Sequence, residues 1–176
     1  MDRPTRDEWL MRLAVVVSTR GTCERASVGA VIAREGRVIS TGYVGAPSGL
    51  PHCLSVGCEI GADGGCTRTV HAEANAIAFA ARFGTSTDRS ELYCTHSPCL
   101  ACAKLIVNAG VERVVFEHPY RDASGLSLLE KAGVDIIRIP EWVDEPDEAN
   151  KGLLSGVDQA QIDKIHPGWR SLLGSD

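Results

Sequence analysis

Apolar residues at Trp9, Leu10, Leu13, Val16 and Val17 return at helical spacing, and Thr5 followed three positions later by Glu8 has the form of a capping box. This pattern predicts a first helix over residues 6–18. Residues 27–33, with Val28, Val31 and Ile32, and residues 37–43 are two short apolar runs on either side of Glu35-Gly36. They predict a β-hairpin. Residues 46–67 then lose all periodicity and are rich in Gly, Pro and Ser. A stretch of that length inside a compact domain needs something to tie it down.

The second half is more regular. Helix character runs over 71–83 with Gly84 as its stop, and a strand is predicted over 91–95. Ser97-Pro98 then reads as an N-cap followed by the first helical position, and Gly110 closes that helix. Strands at 111–116 and 134–139 flank a helix at 124–132, and Ala109-Gly110-Val111 and Ala132-Gly133-Val134 repeat one helix-stop-strand junction. Alternating strands and helices imply parallel pairing with right-handed crossovers. The expected fold class is therefore α/β, with one mixed sheet of five strands, an N-terminal hairpin plus parallel strands, covered by helices. After Pro140 the chain turns acidic, with Glu141, Asp144, Glu145, Asp147 and Glu148, and carries only a weak helical pattern over 157–165. Residues 1–139 read as one domain and 140–176 as an acidic C-terminal extension of unknown role.

Composition narrows the function. At 176 residues, 44% of them hydrophobic, the chain can bury one ordinary core. Its net charge of -5 argues against a dedicated nucleic-acid binder, which needs concentrated positive charge. Uninterrupted apolar runs of five or six residues fall far short of the roughly 20 that span a bilayer. The charged start, from Arg3 to Glu8, does not resemble a secretory signal, so a cytoplasmic protein is expected. Seven cysteines, at 23, 53, 58, 66, 94, 99 and 102, remain to be explained. In a reducing compartment, and in an odd number, they point to metal binding or catalysis rather than to disulfides.

His71-Ala72-Glu73 opens one predicted helix and Pro98-Cys99-Leu100-Ala101-Cys102 opens the next. Cysteines three apart on a helix share a face, and the first turn favours thiolate. With His71 they make three ligands for tetrahedral zinc, and an open fourth position marks a catalytic site. Water there has its pKa lowered to roughly 7. Glu73, two residues from His71, suits a proton shuttle. His-x-Glu followed by Pro-Cys-x-x-Cys is the signature of zinc-dependent nucleobase deaminases.

On these motifs the chain resembles the cytidine deaminase superfamily, and its deoxycytidylate (dCMP) deaminase branch in particular. The resemblance extends to Cys23-x-x-Ala26-Ser27-Val28-Gly29-Ala30-Val31-Ile32, to Gly42 through Cys53, to Cys66 through Ile77 and to Ser97 through Lys104. It implies a three-layer deaminase fold, zinc on His71, Cys99 and Cys102, and Glu73 as general acid and base. Glu73 would take a proton from the attacking water and protonate the pyrimidine at N3 while oxygen adds at C4, releasing ammonia and leaving dUMP. The Ala72 backbone N–H and the Ser97 region would hold the pyrimidine edge. Arg82 would meet the 5′-phosphate, Phe79 would sit in a neighbouring pocket position, and Tyr120 of Tyr120-Arg121-Asp122 would lie near the nucleotide. The bland alternatives are a solvated Arg and two core aromatics. The resemblance also implies dCTP and dTTP as effectors and a homo-oligomer, dimer or hexamer.

One position departs from the family. Val44 in Gly42-Tyr43-Val44-Gly45 stands where the family usually has an Asn that hydrogen-bonds the sugar, and valine offers no donor or acceptor. A modified cytidine nucleotide or a nucleoside is therefore the alternative substrate. A tRNA or other nucleic-acid deaminase shares the zinc motifs but needs a basic surface.

Cys23, Cys53, Cys58 and Cys66 flank or fall in the aperiodic stretch. Four thiolates would complete a closed, structural zinc site and hold it, with His52 a rival for one position. Their spacings are not those of a standard finger, so four unrelated small residues is the competing reading. Cys94, inside a strand pattern, reads as an inert buried thiol.

Overall fold

The computed structural model describes residues 3–62 and 64–139. Residues 140–176, and with them the expectations for the acidic extension, lie outside the described residues. Helix α1 (Arg6–Ser18) opens on the expected capping box: Glu8 N–H donates to Thr5 Oγ1 at 3.3 Å, and Thr5 N–H donates to Glu8 Oε2 at 2.6 Å. Strands β1 (Gly29–Arg34) and β2 (Arg37–Tyr43) form the hairpin. Its two-residue turn holds Glu35 and Gly36 at φ 53° and 72°, the left-handed pair that matches strand twist.

A short helix, α2 (Cys53–Val56), lies inside the stretch that lacks periodicity. Helix α3 (Ala72–Arg82), strand β3 (Ser90–His96), helix α4 (Leu100–Asn108), strand β4 (Val111–His118), helix α5 (Ser124–Lys131) and strand β5 (Asp135–Arg138) follow in that order. The sheet runs β2-β1-β3-β4-β5, with β1 antiparallel to both β2 and β3, and β3, β4 and β5 mutually parallel. This is the mixed five-stranded α/β architecture expected.

Strand alternation divides the core into two layers. Leu10, Met11 and Ala14 of α1 pack on Val31, Ala33, Tyr93 and Val115 on one face of the sheet. Ala72 and Ala76 of α3, Ala103 and Ile106 of α4, and Leu129 of α5 pack on Ala30, Ile32, Leu92, Cys94 and Val114 on the other. Two glycines set how closely the second layer approaches. A Cβ on Gly42 would collide with the Ala72 carbonyl and the Ala76 amide, and one on Gly125 would collide with the Pro98 carbonyl. Among the described residues, no helix is long and apolar enough to cross a membrane.

The start of α4 differs from the sequence expectation. Its N-cap is Cys99, not Ser97, and Pro98 precedes the helix. Ser97 instead uses its Oγ to accept the Tyr120 backbone N–H at 2.7 Å. The carbonyl of Cys99 accepts the first intrahelical bond, from Ala103 N–H at 2.8 Å.

Candidate active site

The C-terminal ends of β3 and β4, together with the first turns of α3 and α4, bound a pocket. Parallel strands place sites there because their connections diverge at that edge. His71 is the N-cap of α3 and Cys99 the N-cap of α4, so each begins a helix with its side chain directed at the other. Asn75 Nδ2 donates to the Tyr43 carbonyl at 2.8 Å and Ser40 Oγ to the Ala76 carbonyl at 2.6 Å, which anchors α3 on β2.

His71 Nδ1 lies 3.5 Å from Cys99 Sγ and 3.5 Å from Cys102 Sγ. Zinc bonds of about 2.3 Å to sulfur and about 2.0–2.1 Å to nitrogen at tetrahedral angles separate S and N by about 3.5 Å. The three donors therefore already stand on the edges of a zinc tetrahedron. Hydrogen bonds from Cys102 and His71 bring the Cys99 thiol down to about 3, so it is a thiolate, while the same contact pushes Cys102 up. His71 is raised, first by its hydrogen bond to Cys99.

Glu73 is 4% exposed, and its burial raises the carboxyl pKa against the pull of its own backbone N–H and of His71. A carboxyl whose neutral form is favoured can carry a proton between two partners. It lines the pocket with Ala72, Val44, Ser97 and Tyr120, so these residues singled out in the sequence converge with His71 and Cys99. Val44 is 5% exposed, and its N–H is taken by the Val28 carbonyl at 2.9 Å.

Phe79 and Arg82 do not converge there. Both are exposed on the far half of α3, the Arg82 guanidinium 5.9 Å from the Phe83 ring centre. At 1.5 Å per residue, Arg82 stands roughly 14 Å along the axis from Glu73. The arginines among the pocket-lining residues are Arg25 and Arg121. Arg121 belongs to the Tyr120-Arg121-Asp122 stretch, and Arg25 follows Cys23 by two positions. His96 is a third lining residue outside the sequence motifs, although it immediately precedes Ser97-Pro98-Cys99.

The second cysteine group also forms. Cys23, Cys53, Cys58 and Cys66 bring their sulfurs within 4.8 Å of one another, with Cys23 to Cys58 at 3.8 Å and Cys53 to Cys66 at 3.7 Å. Tetrahedral zinc separates two sulfurs by about 3.8 Å, so this set too has the right donors and edges. His52 is not among these four residues. Cys23 and Cys66 also line the pocket, so the cysteine cluster and the catalytic cluster share a wall. Cys94 is fully buried, and its thiol is raised by that burial.

Residues 4–118 match the family model described as the cytidine and deoxycytidylate deaminase zinc-binding region. The chain belongs to this deaminase family. Among its relatives, ComE operon protein 2 of Bacillus subtilis is 35% identical over 192 aligned positions, which cover 99% of each chain. The deoxycytidylate deaminase of Mycobacterium phage D29 is 39% identical over 66% of this chain and 97% of its own. The crystal structure of dCMP deaminase from cyanophage S-TIM5, in complex with dCMP and dUMP, superposes with a TM-score of 0.70 at 36% identity. It covers 79% of this chain and all of the phage chain. The His71-Ala72-Glu73 and Pro98 to Cys102 segments both fall inside the matched region.

Proposed function

We propose that the protein is a zinc-dependent enzyme that deaminates dCMP to dUMP with release of ammonia. The observation that carries the reading is the buried Glu73 beside the His71, Cys99 and Cys102 donors at zinc spacing. The dCMP and dUMP bound to the S-TIM5 relative support the substrate. Zinc in this donor set supplies the Lewis acidity that makes water a nucleophile near neutral pH. Glu73 would take one proton of the attacking water and deliver it to N3 as the oxygen bonds to C4, then carry the proton of the new C4 hydroxyl to the amino nitrogen, which leaves as ammonia when the C4–N bond breaks. The carrier of both protons is a buried carboxyl, shielded from bulk solvent between transfers. The Ala72 backbone N–H and Ser97 hold the pyrimidine edge, and Tyr120 closes the pocket, its backbone pinned by Ser97. Arg25 and Arg121 meet the 5′-phosphate in the role that family resemblance assigns to Arg82.

Cys23, Cys53, Cys58 and Cys66 hold a second, structural zinc that ties residues 46–67 to the rest of the fold. Seven free thiols suit a reducing, cytoplasmic setting. The exposed Phe79 and Phe83 rings on α3 support burial against a second copy, and dCTP and dTTP remain the candidate effectors.

Val44 favours one further reading, the same chemistry on a modified cytidine nucleotide, because the pocket wall there is apolar where the family reads the sugar. Ammonia release by zinc-replete protein from dCMP, CMP, deoxycytidine, dCTP and 5-substituted dCMP tests both. Turnover of dCMP above the other substrates supports the first. Turnover of a 5-substituted nucleotide without turnover of dCMP replaces it with the second, and no turnover of any substrate overturns both.

A further inference from the structure

Side chains alternate along β3, and the alternation aims one residue into the pocket that the deamination chemistry does not use. Leu92 and Cys94 belong to the layer under α3 and α4, whereas Tyr93 faces α1. His96 continues the first series. Cys94 lies beneath the catalytic cluster, where burial and then the Glu73 carboxylate raise its thiol. Two residues further, about 7 Å nearer the strand end, His96 lines the pocket with Val28 and Ser97.

Its neighbours fix how it is presented. The buried Thr95 hydroxyl accepts the Gly29 N–H at 3.3 Å and holds His96 Nδ1 at 3.2 Å, which fixes the orientation of the ring. His118, its register partner on β4, backs the ring with centroids 5.1 Å apart. Burial and then His118 bring the His96 pKa down to about 4, which agrees with a neutral ring.

Proton delivery to N3 requires that edge of the pyrimidine to face Glu73 and the start of α3. The C5–C6 edge, across the ring from N3, then faces away from the start of α3. We propose that His96, backed by His118, is a specificity-determining residue whose ring forms the wall against pyrimidine C5 and limits which 5-substituted cytidine nucleotides are turned over. The proposal rests on the deaminase reading and names a determinant of its substrate class.

The test compares dCMP, 5-methyl-dCMP and 5-iodo-dCMP with the zinc-replete wild type, His96→Ala and His96→Gln. His96→Ala is expected to raise kcat/KM for the 5-substituted substrates relative to dCMP at least tenfold. His96→Gln, which keeps bulk and an N–H, should return most of the wild-type ratio. A ratio within twofold of wild type in His96→Ala, or a parallel fall on all three substrates, overturns the proposal. Equilibrium binding of dTMP and dUMP, which differ by the 5-methyl group, reads the same ratio without catalysis. If wild type turns over none of the substrates, the deaminase reading fails, and the dTMP-to-dUMP binding ratio still decides the role of His96.

Discussion

The Ala72 carbonyl oxygen of α3 occupies the space that a Cβ on Gly42 of β2 would need. A residue that does not itself line the pocket thereby sets the depth of the helix turn that carries Glu73. Gly42→Ala forces β2 and α3 apart at backbone atoms, which have no flexible end to give. Overpacking of this kind costs about 1–3 kcal/mol. Chemical denaturation is expected to show that loss, and zinc affinity and kcat should fall together because His71 and Glu73 shift as one unit.

Glu73→Gln keeps the shape of the side chain and removes its proton chemistry. A positioned general acid or base contributes roughly 10²–10⁴ in rate. Turnover should fall by that order while elemental analysis finds zinc content unchanged, since Glu73 is not among the grouped ligands. Retained activity in this variant would remove the proposed proton path.

Arg25 and Arg121 line the pocket while Arg82 does not, and the three make different predictions. A hydrogen bond to a charged group is worth about 1.5–3 kcal/mol, or about tenfold and more in affinity. Arg25→Ala and Arg121→Ala should each raise KM for dCMP by at least that factor. Deoxycytidine, which has no phosphate, should respond little. Arg82→Ala should move neither substrate, and a selective effect of Arg82 on dCMP would restore the assignment that family resemblance makes.

The contrast between Arg82 and Arg25 shows which features a sequence carries openly. His71, Glu73, Cys99 and Cys102 are legible as candidates because a zinc site and a proton shuttle would need those residue types, and their local spacing already puts them at helix starts. Hydrophobic periodicity and the glycine stops deliver the helices and strands for the same reason, since both are short-range signals. The N-cap of α4 departs from its local pattern because Ser97 is drawn to the Tyr120 amide, 23 residues away. Arg25 reaches the pocket only through the pairing of β1 with β3, which no local pattern encodes, whereas His96 and Arg121 sit beside the singled-out Ser97 and Tyr120 but belong to no ligand or proton-shuttle spacing. Helix α2 is a single turn following His52 and too short to carry a period.

The four-cysteine cluster predicts a stoichiometry. Zinc-replete protein should contain two zinc ions per chain, and Cys58→Ser should lower the content toward one. Loss of that ion frees residues 46–67, so the thermal midpoint should drop as well. Because Cys23 and Cys66 also form the pocket wall, KM should rise in Cys66→Ser even though the catalytic ligands are intact. A content of one zinc in wild type would rule out the structural site.

Arg113 of β4 joins four elements through its guanidinium. It reaches Asp7 of α1 at 2.6 Å, Glu91 of β3 at 3.4 Å and Asp135 of β5 at 3.3 Å, and Tyr93 donates to Asp7 at 2.8 Å. The hydrogen bond from Arg113 outweighs burial and holds the Asp7 carboxyl below its ordinary range. A depressed carboxylate contributes stability above its unfolded pKa and loses it as the pH falls through the folded value. For Asp7 the contribution is complete at neutral pH and fades below about pH 4. Arg113→Met leaves Asp7, Glu91 and Tyr93 facing one another in a partly buried site, at a cost of roughly 1–3 kcal/mol at pH 7. Asp7→Asn should also destabilise at pH 7, and its deficit against wild type should shrink progressively as the pH falls below about 4. Urea midpoints for the three proteins between pH 2 and pH 7 measure this directly, and a deficit that does not change with pH would assign the effect to packing rather than to charge.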